Sequence, residues 1–394
     1  MSKKINMAIA LLLLIIEHAS AFDFKANGIL YNYMKDGKSV EVSAGCQYKG
    51  FVTIPDSVTH LNTKYAVAGI GYRAFMNCAD MKVISMPNTI KIIGADAFVN
   101  CHGLSSIFIP DSVTNIDSCA FRGCTGLKSI NIGRYVTEIG AKAFWDCTNL
   151  ESIDVVSGNS IYATVDGSLY DKHITALISV PTAKKGCFNI PAFTSYIGQM
   201  AFYGCKGITA FKVDNKNHFF TSIDGILYSL DKKSLVSVPH GIKGEFIIPD
   251  HVVTIEQCAF ADCEHLSSVV IPNSVKTIGV EAFYLCKKLS NVSIGKSVKS
   301  IDMEAFRECV GLKSITLPES VTGIGQLAFA GCTGLTSVDI PKSVTYIGEN
   351  SFAGCRNLTA INVNDNNSVY ASIGGVVYDK YKTTVICMPQ KKQQ

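Results

Sequence analysis

The stretch LSSIFIPDSVTNIDSCAFRGCTG, Leu104 to Gly126, returns along the chain with a period of 23 residues. Its most constant feature is the pair Phe-x-x-Cys. The pair occurs at Phe75/Cys78, Phe98/Cys101, Phe121/Cys124, Phe144/Cys147, Phe202/Cys205, Phe260/Cys263, Phe283/Cys286, Phe306/Cys309, Phe329/Cys332 and Phe352/Cys355. Successive pairs are 23 residues apart, except for two steps of 58 on either side of Phe202. Eleven residues before each Phe from the second onward stands Pro or Gly: Pro87, Pro110, Gly133, Pro191, Pro249, Pro272, Gly295, Pro318 and Pro341. A fixed period of this length marks an array of stacked units, each too small to bury its own apolar face.

The unit's chemistry predicts its shape. In Leu312-Lys-Ser-Ile-Thr-Leu317 the apolar positions end in a period of two, as a strand with one buried face requires. Pro318 cannot donate a ladder hydrogen bond, so it ends that strand and turns the chain. Val321-Thr-Gly-Ile324 alternates as a second short strand, Gly325 stands at the next corner, and Ala328-Phe329 leads to Cys332. Asp117, Glu256 and Asp302 replace the corner Gly, which argues against a strict need for positive φ there. The expectation is a β-rich leucine-rich-repeat solenoid, with two short parallel strands and a turn or short helical segment per unit. Identical side chains then form columns: Phe98, Phe121, Phe144, Phe202, Phe260, Phe283, Phe306, Phe329 and Phe352, beside Cys101, Cys124, Cys147, Cys205, Cys263, Cys286, Cys309, Cys332 and Cys355.

The two longer steps contain a second repeating element. Thr164-Val-Asp-Gly-Ser-Leu-Tyr170, Ser222-Ile-Asp-Gly-Ile-Leu-Tyr228 and Ser372-Ile-Gly-Gly-Val-Val-Tyr378 place Asp-Gly or Gly-Gly between alternating apolar residues, a hairpin signal. Pro181, Pro239 and Pro389 follow each second Gly at a constant distance. A fourth copy, Ala26-Asn-Gly-Ile-Leu-Tyr31, reads as a hairpin covering the first rung. The expected organisation is a signal peptide over 1–21, an N-terminal hairpin cap and first partial repeat over 22–74, and a solenoid over 75–389. Hairpin insertions fall near 155–190, 213–248 and 363–389, and 390–394 is a polar tail.

Composition agrees with a folded, exported chain. Of 394 residues 47% are hydrophobic and 17% charged, which excludes a disordered segment. The formal net charge is +4, or +3 once Lys3, Lys4 and Glu17 are removed with the first 21 residues. That charge is too small and dispersed for nucleic-acid binding. Lys3 and Lys4 precede the apolar run Met7 to Ile16 and the small triplet Ala19-Ser20-Ala21, an export signal with cleavage before Phe22. The run is about half the ~20 apolar residues of a membrane span, so no transmembrane anchor is expected after cleavage.

With these residues in place, the pattern S-I-x-I-P-x-S-V-T-x-I-G-x-x-A-F-x-x-C resembles the BspA-like branch of leucine-rich repeat proteins, over residues 24 to 389. The interspersed x-I-D-G-x-L-Y segments resemble that family too. The resemblance implies a secreted or surface protein of a host-associated microbe, with adhesion to host or matrix proteins or to other cells. The motif residues are structural, so the resemblance transfers no binding site.

No residue set points to catalysis, a cofactor or a metal. The ten cysteines at one repeat position read as small buried hydrophobes, with disulfides or metal as the competing reading. Zinc would call for paired C-x2-C, which does not occur. Cys46, Cys119, Cys187, Cys258 and Cys387 are less constrained, and Cys119 and Cys258 are the candidates for a disulfide. The histidines, at 18, 60, 102, 173, 218, 240, 251 and 265, read as scattered surface residues. What varies on a constant frame is informative: the outward residue of the first strand is Phe108, Asn131, Asp154, Lys212, Val270, Ser293, Thr316, Asp339 or Asn362. Phe108, Asn131, Asp154 and Lys212, with Trp145, Tyr203 and Tyr284 beside the column Phe, are the candidate ligand-binding residues. For those three aromatics, packing over neighbouring turns is the competing reading. The expected function is non-catalytic binding or adhesion to an extracellular protein or glycan. A self-assembling surface layer is the alternative, and a secreted enzyme a distant third.

Overall fold

The computed structural model describes residues 22–45 and 47–390. The expected signal segment, Cys46 and tail residues 391–394 lie outside the described residues. The chain is a β-solenoid of about 14 turns. It divides into two compact units within the first long step: unit one runs to His173 and takes in Ser179–Ala183, and unit two comprises Ile174–Ile178 and the chain from Lys184.

The period of the sequence becomes the register of the sheets. In unit one, Ser106–Phe108, Ser129–Ile132 and Ser152–Val155 pair in parallel, with Ile107, Ile130 and Ile153 side by side. A second ladder joins Ile92–Ile93, Asn115–Ile116 and Glu138–Ile139. Unit two repeats the scheme: Gly244–Ile247, Leu266–Val270 and Asn291–Ser293 form one ladder. Thr254–Ile255 through Tyr346–Ile347 form the other. Leu104, Ile107, Ile109, Val113, Ile116, Ala120, Phe121 and Cys124 of the quoted unit are all buried.

Of the two forms expected for the third segment, the turn is the one found; no α-helix occurs among the described residues. The reason is conformational. In all ten Phe turns, the residues two before and two after the Phe have positive φ, as at Arg73 and Asn77, Glu281 and Leu285, or Asn350 and Gly354. Two left-handed residues around each Phe interrupt any right-handed run. The turn's N–H groups instead point at the next rung: Arg73, Phe75 and Asn77 donate to the carbonyls of Ala95, Ala97 and Val99 at 2.7–3.1 Å. The corner Gly has a different cause. Gly325 and Gly348 are not left-handed, but a Cβ on either would lie 2.4 or 2.3 Å from the backbone nitrogen of Met303 or Gln326. Close approach to the preceding rung is what excludes a side chain.

The Phe column is two stacks. Phe75, Phe98, Phe121 and Phe144 stack near-parallel at 5.2–6.1 Å in unit one, and Phe260, Phe283, Phe306, Phe329 and Phe352 at 4.7–5.4 Å in unit two. Phe202 departs from the expected column. It packs edge-on against Phe188 at 5.3 Å and tilted against Phe211 at 4.8 Å, because the residues after it form a hairpin rather than the next rung.

Asp166-Gly167, Asp224-Gly225, Gly374-Gly375 and Asn27-Gly28 all have positive φ at both positions, as two-residue hairpin turns require. They join antiparallel strands Tyr162–Val165 and Ser168–Asp171, Phe220–Ile223 and Ile226–Ser229, Tyr370–Ile373 and Val376–Asp379, and Phe24–Ala26 and Ile29–Tyr33. Each of the first three lies across the end of a ladder. Its tip carbonyl (Gly167, Gly225, Gly375) accepts from Ile153, Phe211 or Ile361 at 2.8–2.9 Å. Its other end is held by a buried asparagine. Asn217 Nδ2 donates to the carbonyls of Pro191 and Thr194, and its Oδ1 accepts from Phe219 and Phe220. Asn159 and Asn367 make the corresponding four bonds.

Candidate ligand-binding surfaces

The outward residues of the first strand do come together, in segments. Phe108, Asn131 and Asp154 are register partners on adjacent strands of unit one. Phe108 is 61% exposed, while Asn131 and Asp154 are partly so. On the neighbouring ladder Phe51, 83% exposed, pairs with Val83. Lys212 is exposed but belongs to unit two, where its partner is Asn189. In unit two Val270 pairs with Ser293, and Thr316 with Asp339, whose Oδ1 accepts from Asn362 Nδ2 at 2.9 Å. The expected single face is thus divided, because each hairpin tip ends a ladder.

The aromatics beside the column Phe are half-buried. Trp145 lies under the Lys142 ammonium, 4.1 Å from its ring centre, and Tyr284 under the Arg307 guanidinium at 5.8 Å. Both pack over their own turns or the next. Tyr203 differs, since it lines a cleft of about 460 Å³. The apolar wall of that cleft includes Ile197, Met200, Phe202, Phe220 and Ile255, and its polar groups include Ser195, His240, Glu256 and Asp302.

His240 corrects the reading of surface histidines. It is 4% exposed, and its Nδ1 has no hydrogen-bond partner. Burial, with a contribution from the nearby Lys206 charge, holds its pKa down at about 4, so the ring is neutral at neutral pH. Sequence reasoning missed the cleft, because its signal lies in comparing the hairpin copies with one another, not in any motif.

No disulfide joins any two of the fourteen described cysteines. Cys119 and Cys258, the disulfide candidates, occupy left-handed turn positions, and Cys258 Sγ contacts Glu281 Oε2 at 3.5 Å. The column cysteines are more than small hydrophobes: Cys101, Cys124, Cys147, Cys286, Cys309, Cys332 and Cys355 each donate to the Phe carbonyl of the preceding turn at 3.0–3.1 Å. Among the described residues, no helix is long and apolar enough to cross a membrane.

Parallel ladders repeating every 23 residues, with Leu, Ile and Phe turned inward, define a leucine-rich-repeat solenoid. The BspA type leucine rich repeat region, in six copies, matches residues 46–175, 183–235, 242–359 and 277–385, and the chain belongs to this family. Among solved structures, a leucine rich cell surface protein from Faecalibacterium prausnitzii is similar at 29% identity and a TM-score of 0.53, covering 89% of this chain and 96% of that one. A leucine-rich repeat protein from Bacteroides ovatus aligns at 28% identity and a TM-score of 0.34, covering 88% and 95%. The pneumococcal vaccine antigen PcpA aligns at 20% identity and a TM-score of 0.48, covering 88% and 89%. No curated protein sequence matches.

Proposed function

We propose that this protein is a secreted or cell-surface, non-catalytic binding protein that engages an extracellular protein or glycan through the outward face of its first strands. The observation that carries the reading is the unit-one face, where exposed Phe108 stands in register with partly exposed Asn131 and Asp154 on an otherwise regular sheet, and exposed Phe51 lies on the neighbouring ladder. A regular array has no internal need for solvent-facing Phe, and apolar groups rimmed by polar ones suit a contact surface. The export signal over 1–21 and the cell-surface relative support the location.

The test is binding of purified protein to immobilised matrix proteins and glycans, beside two variants. One changes Phe108, Asn131 and Asp154 to Ser, and the other changes Lys212 alone. Saturable binding lost only in the first variant supports the reading. Equal binding by all three moves the site elsewhere, and concentration-dependent self-association without ligand binding favours the surface-layer alternative. Recovery of the natural protein only from the cytoplasm would refute the location.

A further inference from the structure

The second hairpin departs from the first and third at one place, and from the first at another. Tyr162 and Tyr370 begin the first and third hairpins, and each hydroxyl closes a strand edge. Tyr162 Oη accepts from Ile139 N–H at 3.1 Å and donates to the Thr137 carbonyl at 3.3 Å; Tyr370 does the same to Ile347 and Thr345 at 3.1 and 3.4 Å. The residue at this place in the second hairpin is Phe220, which has no hydroxyl. The edge it leaves belongs to Ser195, Tyr196 and Ile197. Tyr196 and Gly198 donate backward to the carbonyls of Thr175 and Leu177 at 3.0 and 2.8 Å, so Ile197 N–H and the Ser195 carbonyl face forward, into the cleft.

The second departure lies on the same cleft. Thr182 follows the first hairpin's Pro181, and its hydroxyl donates to the Cys147 carbonyl. His240 takes this place after Pro239, buried and with Nδ1 unpartnered. Three internal bonds that the first copy makes are thus absent around one cavity; in the third copy Gln390 follows Pro389, and its Oε1 also has no partner.

We infer that this cleft binds a short extended peptide segment carrying a basic side chain. A carbonyl and an N–H two residues apart on one strand edge are the pair that a parallel main chain engages. The volume of about 460 Å³ falls within the about 300–1,000 Å³ of small-ligand sites. Phe202, Tyr203, Phe220 and Ile255 provide an apolar wall for a flanking side chain. The charge is one-sided: Glu256 and Asp302 stand at corners where Gly198, Gly279 and Gly325 stand in other rungs, and no Lys or Arg is among the lining residues. The nearby Lys206 ammonium is engaged by Glu264 at 2.8 Å and Asp262 at 4.0 Å. This site is separate from the outward strand face, and neither reading depends on the other.

The experiment is equilibrium dialysis of the full chain against three mixtures of end-capped tripeptides, with Lys, Ser or Glu fixed in the middle and randomised flanks, read by mass spectrometry. The Lys mixture is retained best, by roughly tenfold over Glu. Phe220→Tyr restores the hydroxyl seen in Tyr162 and Tyr370, and lowers retention by roughly tenfold with no loss of thermal midpoint. His240→Thr, which installs the side chain of the first copy, weakens retention as a second, independent variant. Glu256→Gln with Asp302→Asn removes the preference for Lys over Ser. Retention of no mixture, or retention by Phe220→Tyr and His240→Thr equal to that of the unchanged protein, would overturn the site; a Lys preference surviving loss of both carboxylates would overturn the charge assignment.

Discussion

The thiol of Cys286 donates a hydrogen bond to the carbonyl of Phe260, 3.1 Å away in the preceding turn. That carbonyl also accepts the backbone N–H of Cys263 at 3.1 Å, so the thiol fills its second lone pair. The contact ties one rung to the next and requires the protonated sulfur. Burial pushes the thiols of Cys147 and Cys355 up to about 12.

Column thiols are therefore expected to resist alkylation. At pH 8, iodoacetamide should label exposed Cys187 first and leave Cys101, Cys124, Cys286, Cys309 and Cys332 intact until the chain is denatured. Native-state labelling of those five at the rate of Cys187, read by peptide mass spectrometry, would contradict the buried column.

Phe283 lies between Phe260 and Phe306, with ring centres at 4.7 and 5.0 Å, and is fully buried. Phe283→Ala should cost about 3–5 kcal/mol through the cavity it leaves. Neighbouring rungs share that loss in a stacked array, so thermal unfolding should shift downward. An unchanged midpoint would mean that the stack is not a brace.

Asn217→Ala should undock the second hairpin. One buried and one partly buried carbonyl and two N–H groups lose their partner, at about 1–3 kcal/mol for each group left buried and unsatisfied. Hydrogen exchange should accelerate over 219–230 before it does over the ladder from Thr254. Uniform acceleration along the chain would show that the asparagine supports the whole stack instead.

The left-handed turn positions predict an unusual order of tolerance. Gly354 has φ +73°, so Gly354→Asn should be close to neutral, while Gly354→Val should cost about 1–3 kcal/mol. Equal midpoints for the two variants would mean that the turn relaxes to another conformation.

Much of this was legible before any coordinates. Period, strand alternation and the Pro or Gly stops predicted the two ladders, and Asp224-Gly225 predicted a hairpin, because each rests on local backbone chemistry. The left-handed residue after each Phe carried a partial signal, being Asn, Asp or Gly in eight of ten turns. The one before it carried little, since Arg73, Lys142, Met200 and Leu327 share no chemistry. In seven of the ten turns the next rung accepts that residue's N–H, as Ala95 does for Arg73.

The sequence alone determined that this chain is a stack of near-identical rungs, because a rung that cannot bury its Leu, Ile and Phe by itself must use the next one. Tertiary structure decided where that regularity stops. Only the packing of each hairpin across a ladder end divides the outward face and the Phe column, and only there do Phe220 and His240, unremarkable as letters, meet on one cavity with a strand edge between them. The reason is physical: a repeat specifies the contacts it makes with its own kind, whereas a cleft arises where unlike elements meet, from contacts between residues far apart in the chain.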